Sequence, residues 1–369
     1  MVYSTESAKP KITRKTLVFP LIGLAAFFLY VYLFQVDIIG IIATAQRADP
    51  VLYALAAALS LVEVFFFAVS WRVLAKFLMI KLSIVKAYLL VWYSIFVDTI
   101  VPAESVSGEA VRVYMITREQ GKETCGRVVA SLVTHRLLGM TMNVVVLILG
   151  MVLFFTETEI NPLIFNLVLF LSFGITVTLL LIMLFSFKEK WSLKVIDWIV
   201  RAGKFLSRGR WHGQLTKIKE DASNIAKSFH DSMKEFKHNP QSLILSLFYL
   251  AVTWFFSLSV PYLVFMSLGQ PVSWGVILIT ATIVLAVKSI PLGIPFEVGI
   301  PEITMTALYT SLLEPTLGLQ AAAGISATAT ILTRLITLWL RFGIGFVAQQ
   351  WLELKTVLAP ANNVPVEKA

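Results

Sequence analysis

Cysteine, histidine and charge are all scarce in this chain, and each scarcity excludes a class of function. Cys125 is the only cysteine, so the chain forms no internal disulfide. The four histidines are scattered and have no metal-ligand spacing, so we expect neither a metal nor another cofactor. Charged residues make up 14% of the chain and hydrophobic residues 57%, which is outside the range of soluble globular domains. The sequence therefore predicts an integral membrane protein.

Long apolar runs recur along the chain, and a helix needs roughly 20 such residues to cross a bilayer. We predict an all-α polytopic protein with six full spans and two re-entrant hairpins, which enter the membrane and return to the same side. The hairpins are expected at about 84–116 and 274–313, where the apolar runs are short and end at prolines. The predicted spans are 17–36, 51–70, 130–155, 163–187, 242–268 and 319–347.

The placement of lysine and arginine sets the expected orientation, because cytoplasmic loops are enriched in both. The net charge is +9, yet Arg47 is the one basic residue in a predicted outer loop. The polar insertion 188–240 holds 12 basic and 6 acidic residues, as a cytoplasmic segment should. We therefore expect a cell-membrane protein with both termini in the cytoplasm, and the basic charge needs no nucleic acid to explain it.

Two halves of opposite orientation emerge from this topology. They are a first membrane repeat, 16–156, and a second, 157–348, between cytoplasmic tails 1–15 and 349–369. Each predicted hairpin contains Pro-x-Glu-x4-Glu, and the last span of each half carries threonine close to arginine, in VTHRLL and LTRLI. The second glutamate precedes the arginine by 27 positions in one half and by 32 in the other.

Ionisable side chains cluster in the hairpins and in the spans that follow them, although each costs at least about 2.5 kcal/mol at bilayer depth. The candidates for substrate binding and translocation are Glu104, Glu109, Arg112, Arg136, Glu297, Glu302 and Arg334. Secondary candidates are Asp98, Lys288 and Glu63. The expected hairpin turns contain Pro102, Gly108, Pro291, Pro295, Gly299 and Pro301.

The chemistry of these residues suits a phosphate-bearing substrate. An arginine fork holds phosphate in a bidentate contact, and a helix that starts near Gly108 or Pro301 offers N–H groups to an anion. The glutamates are expected to hold a cationic moiety, pair with the arginines or carry protons. Glu109 and Arg112 are three residues apart, which suits a local salt bridge. The alternative is that the charges only join the two halves through buried ion pairs.

Four secondary interpretations stay open. Glu63 is expected either in the translocation path or in a packing contact between spans. Lys288 is expected to pair with Asp98 or to reach the membrane surface. Residues 191–206 fit an interfacial amphipathic helix or an ordinary basic loop, and the apolar stripe within 215–236 fits a packing face or a dimer contact. A homodimer is therefore possible.

The segments PAESVSGEAVRVYMI and PFEVGIPE resemble the lysylphosphatidylglycerol synthase transmembrane family, also called flippase-like membrane proteins. The residues that carry the resemblance are Pro102, Gly108, Glu109 and Arg112 in the first segment and Pro295, Gly299 and Glu302 in the second. Phe296 and Glu297 replace the family's paired glycines, which makes Glu297 a candidate for substrate selectivity. The resemblance implies translocation of a membrane lipid with a charged head group, such as aminoacylated phosphatidylglycerol or a polyprenyl phosphate.

Our first hypothesis is accordingly a lipid flippase, with membrane lipids as its substrate and no enzymatic activity. The second is an ion-coupled transporter of a small anionic solute, which uses the same helix ends. The third is a membrane-embedded enzyme acting on lipid phosphate. No nucleophile-His-Asp set or metal-ligand motif in the sequence supports the third.

Overall fold

The computed structural model describes residues 43–101, 106–157, 212–238, 240–288 and 299–358, with isolated positions between 166 and 201. All the regular structure in these ranges is helical. The helices are α1 (Pro50–Phe77), α2 (Ile84–Ile100), α3 (Val106–Gln120), α4 (Cys125–Glu157), α5 (His212–His238), α6 (Pro240–Ser267), α7 (Trp274–Lys288), α8 (Ile300–Leu317), α9 (Leu319–Arg334) and α10 (Arg341–Leu358). A 3-10 turn, Lys122–Thr124, precedes α4, and a π-helical segment, Leu335–Leu340, joins α9 to α10.

Within the described ranges, four stretches of helix are long and apolar enough to cross a membrane, so this is a multi-pass membrane protein. They are Pro50–Phe77, Lys122–Leu153, Pro240–Ser267 and Leu319–Glu353, and they contain or overlap four of the predicted spans. Large apolar side chains remain exposed along them, as expected for surfaces that face lipid. Examples are Ile148 and Val152 on α4 and Phe248 and Phe255 on α6. The predicted spans 17–36 and 163–187 lie outside the described residues, apart from isolated positions.

α1 and α6 form an antiparallel pair in which both helices have 28 residues and begin with proline. At one end the Asp49 N–H donates to the carbonyl of Ser267 over 2.8 Å. Towards the other end the Ser70 hydroxyl donates to the Ser246 carbonyl over 2.9 Å, and both serines are buried. Small residues at this crossing let two membrane helices pack closely.

α2 and α3 also pack antiparallel, so that α2 begins where α3 ends. Near that end Lys81 and Gln120 exchange two hydrogen bonds, of 3.0 and 2.7 Å. At the other end the Gly108 N–H donates to Asp98 Oδ1 over 2.7 Å. Glycine is required at this close approach, because an added Cβ would lie 2.3 Å from Asp98 Oδ2.

Two clusters of buried apolar side chains lie at opposite ends of the long helices. The first cluster contains Ala56 of α1 and Val146 of α4, together with most of the buried side chains of α7 and α8. The second contains the carboxyl half of α1 and the amino half of α4, together with α2, Ile116 of α3 and the ends of α5 and α10. α1 and α4 therefore run in opposite directions, with α2 and α3 at one end and α7 and α8 at the other.

Part of the apolar stripe in 215–236 packs within the chain, while Ile225 is 37% exposed. Met233 and Phe236 are buried in the second cluster, and the Phe236 ring lies 5.1 Å from that of Phe77. A Cβ at Gly126 would lie 2.5 Å from Ser228 Cβ, so α5 rests directly on the start of α4. Of the predicted interfacial helix 191–206, only positions 197 and 201 are described.

Candidate functional site

An ion pair links the first turn of α3 to α4. Arg136 Nε lies 3.3 Å from Glu109 Oε1, and both side chains are half-buried. Sequence spacing favours a pair of Glu109 with Arg112, but that pair does not form, because Arg112 is turned against α1. The two partners of the observed pair lie on α3 and on the helix that follows it, α4.

Arg112 is the most deeply buried charge near this pair, with 5% of its surface exposed. Its guanidinium carbon lies 4.9 Å from the centre of the Trp71 ring, and the Trp71 N–H donates to the Ser131 hydroxyl over 3.2 Å. Nε and Nη1 of Arg112 have no hydrogen-bond acceptor in the described part of the chain. Because burying a guanidinium is costly, a cation–π contact compensates for only part of the lost hydration. Arg112 can therefore gain from an anionic ligand.

The surroundings of Arg112 are charged and polar. Asp98, Glu109 and Arg136 all lie within electrostatic range of its guanidinium. His135, beside Arg136 on α4, also lies within this range and packs edge-on against Phe67 with 4.6 Å between ring centres. The structure thus brings four sequence-predicted residues, Asp98, Glu109, Arg112 and Arg136, into one cluster.

Both helix starts that were expected to attract an anion are occupied by carboxylates of the protein itself. Asp98 Oδ1 accepts hydrogen bonds from the Gly108 N–H and from the Ser107 hydroxyl, the latter over 2.6 Å. Glu302 Oε2 accepts from the Gly299 N–H over 2.6 Å, where Gly299 has a φ of 102°. Positive φ suits glycine, and the carboxylates complement the positive ends of α3 and α8. Anion binding is thereby left to the arginines.

A second ion pair links the first turn of α8 to the end of α9. Arg334 Nε donates to Glu302 Oε1 over 2.5 Å, and both residues are buried. Arg334 is the last residue of α9, directly before the π-helical segment. Such segments are enriched at functional sites. Pro301 lies in the first turn of α8, where its missing N–H costs no helical hydrogen bond.

A third ion pair, between Glu63 on α1 and Arg341 on α10, joins two spans. The Arg341 Nε also donates to the Ser60 hydroxyl over 3.0 Å. This contact matches the packing role considered for Glu63. Arg341 is absent from the sequence-predicted site, although an arginine inside the apolar run 319–347 was an available signal.

Lys288, a secondary candidate, is the last residue of α7. Five other predicted site residues lie outside the described ranges: Pro102, Glu104, Pro291, Pro295 and Glu297.

Comparison with known proteins identifies the family of this chain. The family model described as the lysylphosphatidylglycerol synthase transmembrane region matches residues 20–345. The chain belongs to this family. The matched range contains all three ion pairs, so the candidate site is part of the family's transmembrane region and the resemblance seen in the sequence is confirmed.

A curated relative agrees with the family assignment. The chain is 27% identical over 301 residues to a UPF0104 membrane protein of Pyrococcus horikoshii. The alignment covers 81% of this chain and 87% of the relative. This chain and the UPF0104 relative therefore match along most of their lengths.

Proposed function

We propose that this protein moves a lipid with a phosphate head group between the two leaflets, through a polar site between two re-entrant hairpins. The observation that carries the proposal is Arg112, a buried guanidinium whose Nε and Nη1 meet no acceptor in the described part of the chain. A lipid phosphate supplies two acceptor oxygens and a compensating charge, which is the partner such a group needs. We further propose a cell-membrane location with both termini cytoplasmic, and transport without an enzymatic step.

The α2–α3 pair supports a first re-entrant hairpin. Lys86 near the start of α2 forms an ion pair with Glu119 near the end of α3, so both ends lie on one side. Lys81, Arg118 and Lys122 lie at the same end, as expected for a cytoplasmic surface. Each arm has 17 residues or fewer, which is short for a full crossing.

Matching local structure supports two repeats that are offset by 190 positions. Pro50 and Pro240 begin α1 and α6. Two residues after the ends of these helices lie Met79 and Gly269, which both have positive φ, of 58° and 72°. The hydroxyls of Ser83 and Ser273 then accept hydrogen bonds from the first turns of α2 and α7. Each pair is separated by 190 positions. The antiparallel packing of α1 on α6 supports opposite orientation of the two repeats.

Close contacts between the halves suggest how the hairpins are coupled. A Cβ at Gly345 on α10 would lie 2.6 Å from the Trp92 carbonyl on α2, and one at Gly150 on α4 would lie 2.8 Å from Leu278 Cβ on α7. The last span of each half thus packs against the first hairpin arm of the other half. A shift of either hairpin is therefore expected to move the opposite half, as alternating access requires.

The roles of the charged residues follow from their pairing. Arg112 binds the phosphate in its resting position. Arg136 and Arg334 release Glu109 and Glu302 when the phosphate passes, so that each carboxylate then holds a cationic moiety or a proton. Glu104 and Glu297 remain candidates for head-group selectivity.

A liposome assay tests the phosphate contact. The full chain is reconstituted with fluorescent phosphatidylglycerol, and transfer is measured as the label becomes accessible to an impermeant quencher. Arg112→Gln should slow transfer by about tenfold to a hundredfold, because charge-assisted hydrogen bonds are lost. Arg118→Gln, on the exposed face of the same helix, is the matched control and should transfer lipid at the wild-type rate.

Two outcomes would contradict the proposal. Equal transfer by Arg112→Gln and the wild-type protein would remove Arg112 from the path. Uptake of inorganic phosphate without lipid transfer would instead favour the transporter of a small anionic solute.

A further inference from the structure

Buried hydroxyl groups fall into two classes in this molecule. Most serine and threonine hydroxyls on the helices donate to a backbone carbonyl one turn earlier, as Thr282 does to Leu278, Thr304 to Ile300 and Thr337 to Thr333. This bond is the usual partner of a hydroxyl in a membrane helix. Four buried hydroxyls near the second hairpin have no partner in the described part of the chain: Thr280, Ser326, Thr330 and Thr333.

Three of these four hydroxyls lie on one face of α9 and are here called the hydroxyl column: Ser326, Thr330 and Thr333. Spacings of four and three residues place them above one another. Ser326 and Thr330 are fully buried, and Thr333 is 4% exposed. At 1.5 Å per residue the steps along the helix are about 6 Å and about 4.5 Å, which exceeds one hydrogen bond. One bridging water with bonds of about 2.8 Å fits each step.

The column is a feature of the second half. Aligning Arg136 with Arg334 places Val128, Leu132 and His135 of α4 at the equivalent positions. The repeat architecture therefore does not require hydroxyls there. Their burial without protein partners is costly, so a polar occupant is the physical explanation.

The column ends at the second ion pair. Thr333 directly precedes Arg334, whose Nε holds Glu302. The π-helical segment begins at the next residue, Leu335. Other titratable groups on the elements around Glu302 are Lys288 at the end of α7, Tyr309 two turns along α8 and the exposed Glu314 near the end of α8. Glu302 is therefore bonded to the residue that follows the last hydroxyl of the column.

We propose that the hydroxyl column is a water-lined proton route to Glu302. A hydronium ion at the Ser326 end of the column gives up a proton, which passes from water to water between the three hydroxyls. Glu302 Oε1 accepts it, an O–H bond forms, and the charge attraction to Arg334 is lost. This inference goes beyond lipid transport, because it assigns a driving ion, and it holds for any anionic cargo.

Thr328 provides a matched control on the same helix. It is 1% exposed, but its hydroxyl donates to the Gly324 carbonyl over 2.9 Å, so it is not part of the column. Thr330→Val and Thr328→Val remove the same atom from neighbouring buried positions. Thr330→Ser keeps the hydroxyl and serves as the rescue variant.

Proton flux into liposomes is the first test. Vesicles with the full chain and an internal pH dye receive a potassium diffusion potential, with no lipid cargo required. We expect a proton flux above that of empty vesicles from the wild-type protein and from the Thr328→Val and Thr330→Ser variants. We expect a proton flux about tenfold lower than that of the wild-type protein from Thr330→Val and Ser326→Ala. Equal fluxes in Thr330→Val and Thr328→Val, or a wild-type flux equal to that of empty vesicles, would overturn the proposal.

Thiol reactivity gives a second readout that does not depend on transport. Cys125 is the only cysteine, so Cys125→Ser supplies a background without thiols. In that background Thr330→Cys should react with silver ion, which is small enough to follow water, while Thr328→Cys should react about tenfold more slowly. Similar rates at both positions would argue against a water-lined route. Failure here leaves the lipid assay on Arg112 unaffected, so the two proposals fail separately.

Discussion

Among single residues, the three arginines of the candidate site differ in what holds them. Arg136 and Arg334 each contact a glutamate on the first turn of a hairpin arm through Nε. Arg112 lies against Trp71, and its Nε and Nη1 meet no acceptor in the described residues. Sequence identified all three, since arginines in apolar segments are rare. It could not assign their partners, because those contacts join residues 27 and 32 positions apart.

Gly108 gives a prediction at this scale. Its added Cβ would meet Asp98 Oδ2 at 2.3 Å and the Ser94 carbonyl at 2.7 Å. Gly108→Ala should therefore lower the free energy of unfolding by about 1–3 kcal/mol through overpacking, and should loosen the tip of the first hairpin. Unfolding of the purified protein in detergent measures this effect.

Gly139 on α4 is the control for Gly108, because its Cβ would meet no atom within 4 Å. Gly139→Ala should leave stability unchanged or raise it by about 0.5–1 kcal/mol, since alanine favours the helix. Equal stability of the Gly108→Ala and Gly139→Ala variants would show that Asp98 does not pack against α3 as described.

At the scale of helices, the predictions from sequence were most successful where they depended on the composition of one helix alone. The helices α1, α4 and α6 match the apolar runs, because about 20 apolar residues suffice to define a span. The carboxylate caps were not foreseen. Asp98 lies ten residues before Gly108, and the contact depends on how α2 folds back on α3. Likewise, only tertiary structure distinguishes the hydroxyls of Thr328 and Thr330.

The contact of α10 with α2 yields a prediction for the coupling of the two halves. Gly345→Ala would place a Cβ 2.6 Å from the Trp92 carbonyl and 2.9 Å from Phe96 Cβ. This overpacking should lower the free energy of unfolding by about 1–3 kcal/mol. It should also slow lipid transfer, because in the proposed mechanism α10 must separate from α2. Gly343→Ala on the same helix meets no atom within 4 Å and should change neither quantity. Normal transfer by a destabilised Gly345→Ala protein would show that this contact does not couple the halves.

On the scale of the whole molecule, the two apolar clusters and the α1–α6 pair describe a bundle with a defined centre. One cluster includes α7 and α8 and the other includes α2 and α3, at opposite ends of the long helices. α1 and α6 cross at Ser70 and Ser246 and connect the two ends. If the halves are inverted repeats, the axis that relates them passes between these two helices, since each packs against its own counterpart.

That axis predicts which cross-link the protein tolerates. The hydroxyl oxygens of Ser70 and Ser246 lie 2.8 Å apart, so cysteines at both positions, in a Cys125→Ser background, should form a disulfide under mild oxidation. Helices next to an axis move least when two halves rock against each other, so the oxidised protein should retain most of its lipid transfer. Each single cysteine variant controls for the substitutions themselves. If oxidation stops lipid transfer in the double variant and reduction restores it, α1 and α6 must separate during transport. The proposed hairpins would then move together with α1 and α6, and these two helices would not be the fixed part of the protein.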